Sequence, residues 1–399
     1  MDGIFTNELE PAGALAPANL MAVEQGDGEL KKVTLAELEA FSQRSGAVYS
    51  KKTPFLIASD KQKLTIKAGT KLTINSPTYQ RAFIAETDTS LSFTALLDTG
   101  NIVNGKDYYL FLCPTSSGTE FLFSLTKTNP AGYASADVTL VGGFHTLCAN
   151  AGTGMTYEMG GIIMQHPLNG YLAGDILPQS VWCLNHGPFS DPEGMVYIPT
   201  MDVWVDIYLQ SGSGFNTKSV YQGAITRSRQ YVNFVEDQLC VNKALLNDEE
   251  FAAAMMGSNE KTAVAGADEA SATTNGAGGR SDTAGRRMIS IYGVEEGCGS
   301  LWQWLATTSA AGVGGSIHGQ TAMTPAYGWL EVTQTSYGVY VQAGNKGSFW
   351  GLCGALHAGG DYSLSNHNGS RARHATRSRA YAALSIGGRG RSRSKYFIG

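Results

Sequence analysis

Between residues 55 and 113 apolar and polar side chains alternate in short segments: FLIAS at 55–59, KLTIKAGTKLTI at 63–74, RAFIA at 81–85, SLSFTALL at 90–97 and DYYLFLC at 107–113. A period of two turns successive side chains to opposite faces, so these segments predict β-strands. The dipeptides Ala68-Gly69, Thr99-Gly100 and Asn104-Gly105 separate them and predict antiparallel connections. Residues 51–168 therefore read as a β-rich, sandwich-like middle domain.

The period lengthens after residue 228. Tyr231, Phe234 and Val235, then Leu245, Phe251 and Met255, recur at spacings that predict two amphipathic helices within 228–257. Near the N-terminus, Thr34 followed by Glu37 reads as a capping box that opens a short helix over Val33–Phe41. Residues 1–50 are too short for a core of their own, which predicts an assembly segment that buries its apolar side against other copies. A second folded unit starts near Asn169, with Trp182 and Trp204 as core anchors. Residues 258–285, rich in Ala, Gly, Ser and Thr, predict a long mobile loop; a second Gly-rich loop is expected at 312–319 and a hairpin in WLEVTQTSYGVYVQAG.

Composition supports this picture: 399 residues exceed one ordinary domain, and 49 Gly, 18 Tyr and 15 Phe with few helix formers favour short strands and turns. The expected class is α+β and β-rich. A net charge of −5 gives no global sign of nucleic acid, although the C-terminal end is locally basic. The six cysteines, Cys113, Cys148, Cys183, Cys240, Cys298 and Cys353, lack close pairs and read mostly as buried free thiols. The first residues carry Asp2, Glu8 and Glu10 before any base and no long apolar run, so neither a secretory signal nor a membrane span is expected, and synthesis takes place in cytoplasm.

Candidate catalytic and metal chemistry is sparse. Cys183 with His186, and His145 with Cys148, have two-residue gaps, but each lacks a second pair at structural-zinc spacing. Gly312–Gly315 matches no phosphate-binding loop. Asp361, Glu295 and Glu296 have no convergent histidine or nucleophile. No cofactor is expected; a structural calcium ion stays open, without an assigned site, because carboxylates are dispersed.

The most informative stretch is Gly354–Ser394, where glycines and small residues frame Arg, His, Tyr, Asp, Asn, Ser and Thr. Met, Trp, Glu, Gln and Lys occur elsewhere in the chain and are absent here. A disordered basic tail is one reading of such a composition. The interspersed Tyr362, Leu364, Tyr381, Leu384 and Ile386 argue for a folded surface instead.

Four landmarks, PEGMVYIP at 192–199, SRQYVNFV at 228–235, CGSLWQW at 298–304 and the closing GGDYS with IGGRGRSR, resemble the C-type-lectin-like fold of the formylglycine-generating-enzyme superfamily. Within it, the closing run is most similar to the variable proteins of diversity-generating retroelements, in particular the phage-borne proteins that set host tropism. In that family adenines of AAC-type codons are mutated, and such codons cannot reach Met, Trp, Glu, Gln or Lys.

The resemblance implies a C-terminal display domain over 169–399, with a variable region at about 354–394, and a β-prism-like N-terminal assembly segment over 1–50. It implies ligand-binding positions at His357, Asp361, Ser363, Ser365, His367, His374, Thr376, Arg377, Tyr381, Ala383 and Ser385. Gly359, Gly360, Gly369, Ser370, Arg371, Ala372, Ile386, Gly387 and Arg389 would hold the frame, with Trp302, Trp304 and Trp350 as buried neighbours. The implied function is non-enzymatic binding of a host-cell surface receptor, protein or glycan, by a homotrimer at the tip of a phage tail fibre, attached to other tail-fibre proteins. A cellular or prophage-encoded variable protein with another ligand is the alternative. An oxidase of the superfamily is the remote one, because its closely spaced cysteine pair is missing here.

Overall fold

The computed structural model of the protein describes residues 20–24, 30–34, 53–159, 162–227, 229, 231–258, 276–281, 285, 287–297, 302–309, 330–331, 354–358, 373–375 and 386–396. Within them the chain is strand-rich with few helices. Near the N-terminus β1 (Leu20–Glu24) and β2 (Leu30–Thr34) form an antiparallel hairpin. This corrects the helix expected from Val33: Val33 and Thr34 end a strand, with Thr34 opposite Leu20, and the rest of that stretch lies outside the described residues. β-branched residues fit a pleated ladder at least as well as a cap.

The alternating segments are strands. β3 (Leu56–Asp60), β4 (Lys63–Ile66) and β7 (Thr89–Ser92) form one antiparallel sheet, and β5 (Lys71–Asn75) pairs with β6 (Gln80–Ile84). The strand expected over 90–97 stops at Ser92, and residues 93–96 turn. Phe93 thereby drops into the core, edge-on to Tyr108, Phe123 and Phe144 at 4.8–5.4 Å.

β8 (Asp107–Pro114), β9 (Thr119–Ser124) and β10 (Thr139–His145) continue the domain. β8 is apolar on both faces. Tyr108, Leu110 and Leu112 face a core shared with Leu56, Leu64, Ile66, Leu72 and Phe144, while Tyr109, Phe111 and Cys113 face a smaller cluster with Tyr133, Leu140 and Trp182. Burial on both sides is the pattern of a central strand.

After the hairpin β11 (Thr156–Met159) and β12 (Ile162–Gln165) come β13 (Trp182–Cys183), β14 (His186–Pro188), β15 (Met195–Ile198) and β16 (Val203–Asp206). The expected helices are present as α1 (Tyr231–Cys240) and α2 (Asp248–Ala254), separated by β17 (Ala244–Leu245). α2 opens with a capping box in which Asn247 accepts from the Glu250 amide and Glu250 from the Asn247 amide. Then follow β18 (Trp302–Ser309), β19 (Leu330–Glu331), β20 (Gly354–Ala358), β21 (Arg373–Ala375), β22 (Ile386–Gly387) and β23 (Gly390–Tyr396).

One nine-stranded sheet crosses the molecule in the order β15-β16-β23-β14-β13-β10-β8-β9, with β17 also on β23. The C-terminal strand thus lies in the middle of the sheet, bonded to β14 and β16. Where β10 passes β13, Gly142 and Gly143 leave no room for a side chain. A Cβ at Gly142 would sit 2.3 Å from the Trp182 carbonyl oxygen, and one at Gly143 2.5 Å from that of Tyr108. Trp182 lies half-buried over this gap; Trp204 is fully buried.

A second core gathers Val196, Val205, Ile207, Leu209, Phe251, Met255, Ile289 and Leu305. Residues 147–183 serve both: Leu147, Ala151, Leu168 and Leu177 join the second core, Ile176, Val181 and Cys183 the first. Cys113, Cys148 and Cys183 are buried free thiols and Cys240 is half-buried; Cys298 and Cys353 lie outside the described residues. The mobile loop expected over 258–285 is corrected at its end. Ala277 is fully buried in the second core, and Gly278 to Arg280 are held by carboxylates. Burying an alanine and pairing an arginine fix a segment whose composition alone reads as flexible.

Candidate functional site

Within the C-terminal run, β20, β21 and β22 belong to a five-stranded sheet in the order β19-β21-β20-β18-β22. Of the positions expected to bind ligand, His357 lies in β20 and His374 in β21, directly opposite each other, and Trp304 of β18 is opposite His357 on the other side. Asp361, Ser363, Ser365, His367, Thr376, Arg377, Tyr381, Ala383 and Ser385 lie outside the described residues, as do the frame positions Gly359, Gly360, Gly369, Ser370, Arg371 and Ala372, the 312–319 loop, Trp350 and most of the 329–344 hairpin.

The far end of the frame is set by Arg389, at 1 % exposure. Its guanidinium donates to Gln303 Oε1 (2.9 Å), to the Asp206 and Ile207 carbonyls (2.8 and 2.6 Å) and to the Glu295 carbonyl (2.7 Å). Four acceptors on three separate segments converge on one planar fork, which suits arginine and not lysine. Beside it Asp206 accepts from the Gly390 amide (2.9 Å) and from Lys243 Nζ (2.6 Å), both buried. Asp237 accepts from Gln210 Nε2 (2.7 Å), the Gly214 amide (2.7 Å) and Arg229. Together these bonds tie the start of β23 to β16 and β18, and α1 to the segment that follows β16.

A polar chain leads away from Arg389 toward β8 and β10. Asp107 Oδ1 meets His145 Nδ1 at 2.9 Å, and His145 Nε2 meets the Tyr208 hydroxyl at 2.9 Å. Cys148 donates from Sγ to Glu295 Oε1 at 3.3 Å. Burial, then Glu295, pushes the Cys148 thiol well above its ordinary range, so it stays protonated and unreactive. The two residue pairs with metal-like gaps are therefore occupied in hydrogen bonds and ring contacts: Cys183 donates to Asn185 Oδ1 (3.0 Å), and His186 packs edge-on against Tyr197. Among the described residues no group of three or more His, Cys, Asp or Glu is placed to hold a metal ion. Among them, too, no helix is long and apolar enough to cross a membrane.

Sequence reasoning found Arg389 through its place in the closing motif. It missed Asp206, Lys243, Arg280 and Arg287, which no local pattern marks because their ion pairs and the Asp206–Gly390 bond span 8 to 184 residues.

Two buried groups make stability pH-dependent in opposite directions. Burial pushes His166 down to about 4, so its contribution is full above 6.5 and is lost as pH falls through about 4. Burial, opposed by Arg280 and reinforced by Glu295, pushes Glu296 up to about 7. Its contribution is full below 4.5 and fades as pH rises through about 7. In urea titrations across pH 4 to 8, His166→Gln is expected to flatten the acid limb and Glu296→Gln the limb between 4.5 and 7. Unchanged limbs in both variants would refute these assignments.

Comparison with known proteins places this geometry. Residues 54–183 match the family model described as Mtd second domain. Among solved structures, the Major Tropism Determinant P3c Variant aligns with a TM-score of 0.64 at 21% identity, covering 95% of this chain and 93% of that one. The fold is that of the Major Tropism Determinant. The M1 and U1 variants align with TM-scores of 0.63 and 0.64 at 21% identity, each covering 90% of this chain and 88% of the variant. Among curated proteins compared by sequence, none matches.

Proposed function

We propose that this chain is a phage receptor-binding protein that selects its host through a C-type-lectin-like display surface, without catalysis. One observation carries the reading: a tropism-determinant fold over 95% of the chain. It is supported by a closing run without Met, Trp, Glu, Gln or Lys that is bracketed by β20 and the buried Arg389. The N-terminal segment 1–50 assembles the protein, residues 51–168 form a sandwich-like spacer, and residues 169–399 display the binding surface.

Binding and stability are separated in this reading. Arg389, Asp206 and Gln303 hold the backbone, and the proposed ligand-binding positions His357, Asp361, Ser363, Ser365, His367, His374, Thr376, Arg377, Tyr381, Ala383 and Ser385 are free to change. Displayed Tyr and Arg give binding hot spots, while Ser, Thr and Ala supply complementarity. Three copies on a tail-fibre tip would multiply weak contacts with a host-cell receptor through effective concentration.

Replacing His357, Asp361, Arg377 and Tyr381 together by alanine is expected to abolish or redirect attachment to host cells while moving Tm by no more than about 2 °C, since exposed substitutions stay near ±0.5 kcal/mol each. Attachment that survives unchanged would reject the binding surface, and a large loss of Tm would mark these residues as core. Light scattering of the intact protein is expected to give three times the chain mass of 42.4 kDa. A monomer at micromolar concentration would reject the assembly.

A further inference from the structure

Glu295 and Glu296 are consecutive carboxylates at 1 % and 0 % exposure, and Glu296 holds a left-handed backbone with φ 54°. Their oxygens are served unequally. Glu295 Oε1 accepts from Arg287 and from Cys148 Sγ, and Oε2 accepts from the Gly279 amide at 3.1 Å. Glu296 Oε1 accepts from the Gly278 amide at 3.0 Å and from Arg280 at 2.5 Å, whereas Oε2 has no hydrogen-bond partner among the described residues.

A buried carboxylate with one bare oxygen is costly while it is ionised, and the cost falls when that oxygen takes a proton. The charge is also what strengthens its grip on Arg280 and Gly278, because charge-assisted hydrogen bonds are roughly twice as strong as neutral ones. We propose that Glu296 is a proton-operated latch on the loop Gly276–Ser281, gripping it through Arg280 and the Gly278 amide when ionised and loosening it when protonated.

The surroundings fit a device of this kind. From the loop, Arg280 and the Gly278 amide face Glu296; from its own segment, Glu295; from the link between β22 and β23, Arg389. Arg287 and Cys148 stand one group farther off, on Glu295. The backbone of Glu296 stays fixed in either state, since its amide donates to the Met288 carbonyl (2.6 Å) and its carbonyl accepts from Gln303 (3.4 Å). Proton uptake therefore changes the side-chain grip and leaves the Glu296 backbone in place. Burial and the neighbouring Glu295 place the transition near neutrality, at about 7, against the opposing pull of Arg280 and Arg389. Gly279 supplies an internal control, because the adjacent amide is held by Glu295 and not by Glu296. The latch does not depend on the receptor-binding reading, and its test measures amides rather than attachment.

The test is amide hydrogen exchange on the intact protein from pH 8 to pH 6, corrected for intrinsic base catalysis. Protection at Gly278 is expected to fall about fivefold to tenfold as pH drops, the scale of one charged hydrogen bond weakened to a neutral one. Protection at Gly279 is expected to change by less than about twofold. Glu296→Gln is expected to abolish the pH response and leave Gly278 at its low-pH protection. As a second variant, Arg280→Gln is expected to shift the midpoint of the Gly278 response to higher pH, because Arg280 favours the ionised form. Gly278 protection independent of pH, a native response retained in Glu296→Gln, or an unmoved midpoint in Arg280→Gln would each overturn the latch.

Discussion

Arg389→Met is expected to lower the unfolding free energy by about 3–5 kcal/mol, the range for removing one partner of a buried charged network. Methionine fills much of the arginine's volume, so packing is largely kept and the effect isolates the lost bonds. Four acceptors, Gln303 Oε1 and the carbonyls of Asp206, Ile207 and Glu295, would be left buried without that donor. Each orphaned group costs about 1–3 kcal/mol where water cannot reach it. Arg389→Lys is expected to recover only part of the loss, because an ammonium has no planar fork. Urea unfolding followed by tryptophan fluorescence measures both. A loss below about 1 kcal/mol for Arg389→Met would show that the frame is held elsewhere.

Phe93→Ala is the second substitution with a large expected effect, about 3–5 kcal/mol, because it empties the centre of the first core. Phe93 is 0 % exposed and meets Tyr108, Phe123 and Phe144 edge-on, so its removal loses both buried area and three ring contacts. The nine-stranded sheet carries the consequence farther. β10 is bonded to β13, β13 to β14 and β14 to the C-terminal strand β23. The transition monitored around Trp204 of β16 is therefore expected to shift together with that of the core around Phe93. If circular dichroism and tryptophan fluorescence gave two separate midpoints, with only one displaced, the sheet would not couple the two halves.

Legibility followed the range of the interactions. The period-two segments from 55 to 113 became strands because alternation is a property of neighbouring residues. The helices at 231–240 and 248–254 were legible for the same reason. Local signals also misled. Thr34 and Glu37 satisfy a capping pattern, but Thr34 pairs with Leu20 in a hairpin, whereas the real capping box belongs to Asn247 and Glu250. SLSFTALL reads as one strand, yet the pull of Phe93 toward three aromatic rings ends it at Ser92.

By itself, the sequence determined a β-rich chain, most of the strand-forming segments between residues 55 and 113, and a closing run without Met, Trp, Glu, Gln or Lys. Only the tertiary structure decided that the last strand lies in the middle of the sheet, that Glu295 and Glu296 are buried, and which distant groups Arg389 bonds. The reason is physical. Periodicity and composition report what each residue's immediate neighbours permit, whereas a buried charge survives only where partners from distant segments converge on it, and that convergence exists only in the folded chain.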